Sequence, residues 1–273
     1  MTRSSIAMTT AAFIVLSAGS ALAQDSEDPR PGLFGTSFLE GWKKYVGLGF
    51  TGTDGNVNES RLVADAKGEF ENDRHRRKLT SQFYISKPDS DSDAKTDRKA
   101  FVDYEENWKP FENMVYFIGT ARYDYERFQA WNSRIAGSLG VGYELYKTER
   151  TALRGSVGGG VAYKFQTDGN ADVDNETIPE GVIRVSLDHN VMKGVDFTTT
   201  HSYYPNFDDT DELRVISDAE LKADIGEAGG LNVAVGVINE YDSIADNNNN
   251  DKAAGIDIED NDLTYYIRFG YDF

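Results

Sequence analysis

The 273-residue chain contains no cysteine, so neither a disulfide framework nor a thiolate metal site is open to it. It has three histidines, His75, His189 and His201, and among them no His-Glu-x-x-His run. Gly-x-Ser-x-Gly and phosphate-loop motifs are absent as well, and the chain reads as a non-enzyme. His201 and Ser202 are neighbours in sequence, but adjacent residues of a strand face opposite ways and cannot act together. Bases are outnumbered: 28 Lys and Arg against 46 Asp and Glu give a formal charge of −18, which argues against nucleic acid as a partner. No cofactor is indicated. Beyond the first 23 residues there is no apolar run of 18 or more, so no transmembrane helix is expected.

Those first residues read as a signal peptide. Arg3 supplies a positive start, Ala11–Leu16 an apolar centre, and Ala21-Leu22-Ala23 a small-x-small cleavage site that would leave Gln24 first. Residues 24–40, with Pro29 and Pro31, read as a polar lead-in, and residues 41–273 as the folded domain. An exported chain without disulfides depends on hydrogen bonding and burial for its stability.

What the chain has in abundance is alternation. The last residues, Leu263 to Phe273, place Leu263, Tyr265, Ile267, Phe269, Tyr271 and Phe273 on one face of a strand. Thr264, Tyr266, Arg268, Gly270 and Asp272 take the other. The same period of two recurs upstream. Val115, Phe117, Ala121, Tyr123 and Tyr125 alternate with Thr120, Arg122, Asp124 and Glu126. Ile135, Leu139, Val141, Tyr143 and Leu145 alternate with Arg134, Ser138, Gly140, Gly142 and Glu144. Leu153, Val157, Val161 and Tyr163 alternate with Arg154, Ser156, Gly158, Gly160 and Lys164. Ile183, Val185 and Leu187 alternate with Arg184, Ser186 and Asp188, and Leu213, Val215 and Ala219 with Arg214, Asp218 and Glu220. The pattern yields twelve strands, and the spacing is wrong for amphipathic helix. Connections alternate in length: tight turns at 71–74, 109–112, 147–150, 192–194 and 227–230, and longer polar loops around 52–59, 87–98, 127–133, 167–179, 205–211 and 242–261. Even strand number and unequal loops are the signature of a transmembrane antiparallel β-barrel with both termini periplasmic.

Several stretches resemble the salt-induced outer-membrane proteins that carry the domain of unknown function 481. They are Phe38-Leu39-Glu40-Gly41-Trp42, Gly52-Thr53-Asp54-Gly55-Asn56, Tyr123 to Trp131, Gly140-Val141-Gly142-Tyr143, Thr148-Glu149-Arg150-Thr151, Ile178-Pro179-Glu180-Gly181 and the terminal aromatic strand. The resemblance implies a barrel in the bacterial outer membrane without a catalytic signature, and little about activity; the role expected of such a chain is in envelope structure and stress adaptation, or in passive passage of ions and small solutes. It also implies that Phe269, Tyr271 and Phe273 present an assembly signal to the barrel-insertion machinery. The Asn- and Asp-rich segment from Asp242 to Asp262 departs from the family pattern.

In such a barrel the apolar face meets lipid, and the face carrying Arg122, Asp124, Arg134, Glu144, Arg154, Lys164, Arg184, Asp188, Arg214, Asp218 and Arg268 meets the lumen. Two outcomes stay open: cross-strand ion pairs fill and stiffen a narrow barrel, or they line a small channel for ions or polar solutes. Twelve strands lie between filled eight-stranded barrels and open porins. Inward glycines at 140, 142, 158 and 160 would leave room on one wall, or make way for a large neighbour such as Tyr146. Trp42, Trp108, Tyr116, Tyr163, Phe165, Tyr203, Tyr204 and Tyr271 are candidates for the headgroup level, beside outer-membrane lipid and lipopolysaccharide. The acidic loops allow surface adhesion or cation binding; Asp246-x-Asn248-x-Asn250 has the opening rhythm of a calcium loop, but Asp251 stands where the turn glycine belongs.

Overall fold

A computed structural model describes residues 41–54, 60–86, 98–110, 114–126, 132–165, 175–209, 212–226, 230–243 and 261–273. Twelve strands follow one another: β1 (Lys43–Asp54), β2 (Ser60–Glu71), β3 (His75–Ser86), β4 (Arg98–Trp108), β5 (Val115–Glu126), β6 (Ser133–Lys147), β7 (Thr151–Phe165), β8 (Glu176–Met192), β9 (Val195–Pro205), β10 (Leu213–Asp224), β11 (Leu231–Asp242) and β12 (Asn261–Asp272). Each pairs antiparallel with its sequence neighbours, and β1 pairs with β12, so the sheet closes into a barrel with no free edge. The signal peptide, the lead-in to residue 40 and the Asp246-Asn248-Asn250 candidate lie outside the described residues.

Closure involves the last residue of the chain. Lys44 N–H donates to the Phe273 carbonyl at 3.1 Å, and Phe273 N–H donates back at 2.9 Å. The turns at one end are fixed by short polar side chains. Asn72 Oδ1 accepts from the Arg74 and His75 amides at 2.9 and 2.7 Å, and Thr148 Oγ1 from the Arg150 and Thr151 amides at 3.3 and 3.0 Å. Between β8 and β9 the turn is Lys193-Gly194, where a φ of 75° suits glycine.

Period two places the side chains. On β6 the outward residues Ile135, Leu139, Val141, Tyr143 and Leu145 are exposed, Leu139 at 78%, while Arg134, Gly142 and Glu144 are buried inside. Leu48 and Phe50 do the same on β1, and Tyr265, Ile267, Phe269 and Tyr271 on β12. The outside is thus a belt of exposed aliphatic and aromatic groups, and the inside a packed polar interior. Water would penalise that belt; hydrocarbon would not.

Candidate functional site

The inward face holds a lattice of ion pairs. Near the short turns, Lys109 Nζ reaches Glu144 at 2.7 Å, Arg154 reaches Glu144 at 3.7 Å and Asp188 at 2.5 Å, and Arg76 ties Asp188 at 2.9 Å to Glu69 at 3.0 Å. One connected chain of charges therefore runs from β2 through β3, β8 and β7 to β6. Further up, Glu220 is the hub: Lys67 lies at 3.1 Å, the Tyr266 hydroxyl donates at 2.9 Å, and Arg268 pairs with it as well as with Asp65 at 3.5 Å. Towards the longer loops, Arg134 donates to both Glu180 oxygens at 2.6 and 2.8 Å and also meets Asp124, which Arg122 holds at 2.7 Å.

Four of these contacts cross the lumen instead of running along the wall. Counted along the closed strand order, Arg76–Asp188 joins β3 to β8, five strands apart, and Lys99–Glu240 at 3.1 Å joins β4 to β11, also five. Arg184–Glu105 at 2.5 Å joins β8 to β4 and Lys67–Glu220 joins β2 to β10, each four apart. In a twelve-stranded ring no two strands are more than six apart. Opposite walls are therefore in hydrogen-bond contact at several heights. Among the described residues, cavities of about 20 Å³ lie beside Arg134, Glu180, Tyr204 and Arg214.

Tyrosine rings occupy the space that glycines vacate. A Cβ on Gly142 would run into the Tyr116 ring, one on Gly236 into Tyr266, and one on Gly270 into Tyr45. Gly140 and Gly158 sit opposite each other, so close that a side chain on either would meet the partner strand's backbone. The neighbour that the Gly142 position accommodates is Tyr116 and not Tyr146, which a bulge between Glu144 and Tyr146 leaves 55% exposed.

All eleven charges read from the sequence as lumenal project inward, as the parity of their strands demands. Nine of them have the contacts given above or, for Lys164, border a cavity. Arg214 and Asp218 face inward with no ion pair among the described residues. The partners that complete the lattice, Lys67, Glu69, Arg76, Lys99, Glu105, Glu180, Glu220 and Glu240, carry the same parity signal. Glu180 and Glu240 escaped the sequence reading because β8 starts at Glu176 and β11 runs on to Asp242, both inside stretches that look like loop.

The aromatics divide. Trp108 faces out beside Phe117, centroids 5.6 Å apart; Tyr163 stacks on Phe165 at 5.5 Å; Tyr271 and Phe273 lie 6.2 Å apart and Phe269 is exposed next to them. Trp42 is 7% exposed. Tyr116 and Tyr204 differ from the sequence expectation: both point into the lumen, because each falls on the inward parity of its strand. Tyr203 and Tyr204 are adjacent and cannot share a face; Tyr203 takes the outer one.

Ser202 turns inward to Arg184 at 3.0 Å, while His201 turns outward and meets Ser217 at 3.0 Å across the β9–β10 ladder. Among the described residues no carboxylate is hydrogen-bonded to that pair; its other neighbour is Thr199 at 3.4 Å. Among the described residues no group of three or more histidine or carboxylate side chains could hold a metal ion.

No curated protein matches the sequence. Among solved structures, the NanC porin superposes with a TM-score of 0.51 at 8% identity, over 83% of this chain and 98% of that one. The translocator domain of the autotransporter NalP from Neisseria meningitidis gives 0.47 at 10% identity, over 97% and 98%. A KdgM porin in complex with disordered oligogalacturonate gives 0.46 at 10% identity, over 84% and 99%. At 8% identity the likeness to the NanC porin is one of fold. The sequence profile of the proteins of unknown function DUF481 matches residues 46–273, and the chain belongs to that family.

Proposed function

We propose that the protein is a structural barrel of the bacterial outer membrane, exported by its leader and inserted with the apolar belt in lipid. Trp108, Tyr163, Phe165 and Tyr271 then stand at the headgroup levels, and Phe269, Tyr271 and Phe273 serve assembly. Its role in this reading is mechanical, in envelope integrity under stress, and it is not enzymatic. The observation that carries the proposal is the set of four ion pairs tying opposite walls of the lumen together. A conducting pore keeps its charges on the wall and its axis wet. Here the charges meet across the axis.

The second reading, a narrow passive channel, is favoured by the same residues in another state. Salt bridges that cross water-accessible space can be competed apart by ions, and a twelve-stranded wall encloses enough room for a path once they part. If such a state conducts, the acidic loops favour cations. Liposome swelling separates the two. Proteoliposomes holding the protein and diluted into isosmotic arabinose should swell no faster than protein-free controls. Swelling at the rate of a general porin establishes the channel instead.

A further inference from the structure

We infer that the outer face of β9 and β10, centred on His201 and Ser217, docks a second copy of this chain within the membrane. Such a contact rests on the membrane insertion proposed above, and it is the same for a closed or a conducting lumen.

All three histidines face outward by the parity of their strands. His75 opens β3, and His189 stands level with Thr151, the first residue of β7, so both lie at the rim with the short turns. The outward ion pair Arg77–Glu106 at 3.1 Å belongs to that rim too, with His75 on the same carboxylate at 2.9 Å. His201 is different. It is exposed, and as the seventh of the eleven residues of β9 it stands near mid-height in the apolar belt. Its row across the ladder reads Val185, His201, Ser217 and Asn239 on β8 to β11, so three polar side chains follow one another on the lipid side. Polar groups at membrane depth are costly against lipid, and an ionisable one marks a functional contact.

The hydrogen bonds within the patch show what it still offers. Thr199 Oγ1 gives its proton to the Asp218 carbonyl at 2.8 Å, so towards His201 it can only accept. His201 Nε2–H therefore donates to it, at a long 3.4 Å, and in the neutral ring Nδ1 accepts from the Ser217 hydroxyl at 3.0 Å. The patch thus keeps a loosely held N–H donor and, on Ser217 Oγ, an oxygen with open lone pairs. Lipid chains match neither. A second copy related by a two-fold axis matches both, with each His201 donor set against the other copy's Ser217 oxygen. The row holds no Lys, Arg or carboxylate to be stranded, and Thr199, Ser217 and Ala219 are small, so two walls can approach closely.

The chain has no cysteine, so one introduced thiol reports only on contacts between chains. The test treats outer membranes holding the full mature chain with a short bismaleimide. Salt of about 0.15 M screens the exposed Asp208 and Asp209 at the loop end of this face beyond about 8 Å. Ala219→Cys, beside Ser217 on the outer face, should give a covalent dimer as the main product. Leu139→Cys, on the wall of β6, should stay monomeric. Adding His201→Leu to Ala219→Cys should weaken association about tenfold, and adding Ser217→Ala should weaken it as well. A membrane-embedded Ala219→Cys that cross-links no more than Leu139→Cys overturns the contact alone. So does a dimer yield that neither second substitution lowers, or an adduct whose mass shows a different protein as the partner. Recovery of the chain as a soluble protein would overturn the membrane reading, and the contact with it.

Discussion

On β6 the outer residues Ile135, Leu139, Val141 and Tyr143 could exchange places with one another at little cost. The inner residues Arg134, Ser138, Gly142 and Glu144 could not. The outer wall works by a non-directional property, apolarity along a belt, and any side chain that is oily enough serves. The inner wall works by matching. Arg134 needs the two oxygens of Glu180, Gly142 needs the ring of Tyr116, and Glu144 needs Lys109 and Arg154. Lipid is a forgiving partner and a buried carboxylate is not, because removing one member of a buried pair strands the other. One strand thus carries a degenerate code on one side and a specific one on the other.

The sharpest way to break that contrast is at the hub of the inner wall. Glu220→Ala leaves Lys67 and Tyr266 without their acceptor and Arg268 with Asp65 at 3.5 Å, and should cost about 3–5 kcal/mol in urea unfolding from lipid vesicles. Leu139→Arg, a charge placed on the most exposed of the outer residues, should cost about 2–4 kcal/mol by the same assay. Leu139→Phe should cost nothing comparable, since the outer code asks only for apolarity. Gly142→Ala pushes a methyl into Tyr116 and should lose about 1–3 kcal/mol, read from the same curves. The smallest effect belongs to the rim. The Lys147 side chain is half exposed where it reaches Glu144 at 3.5 Å, so Lys147→Met should change stability by about 1 kcal/mol or less.

The same contrast explains what could be read from the sequence. Strand number, the parity of every named lumenal charge and the alternation of tight turns with long loops were all legible, because period two and turn chemistry are local properties. Partner choice was not. That Arg76 would meet Asp188, 112 residues on, depends on barrel diameter and on which heights face each other across the axis, and neither is written in any window of sequence. Tyr116 was misplaced for a different reason. An aromatic near a strand end suits a headgroup girdle, and the glycine that makes room for it inside sits on the next strand, Gly142. Parity along β5, which puts Arg122 and Asp124 inward, already placed Tyr116 with them and was the better guide.

The central claim is that cross-lumen ion pairs close this barrel, and single-channel recording in planar bilayers addresses it most directly. The parent should give no reproducible conductance steps in potassium chloride. A variant in which Arg76, Lys67, Lys99 and Arg184 are all replaced by serine should give steady ones. Stable steps from the parent itself would contradict the account, and so would a folded quadruple variant that stays silent.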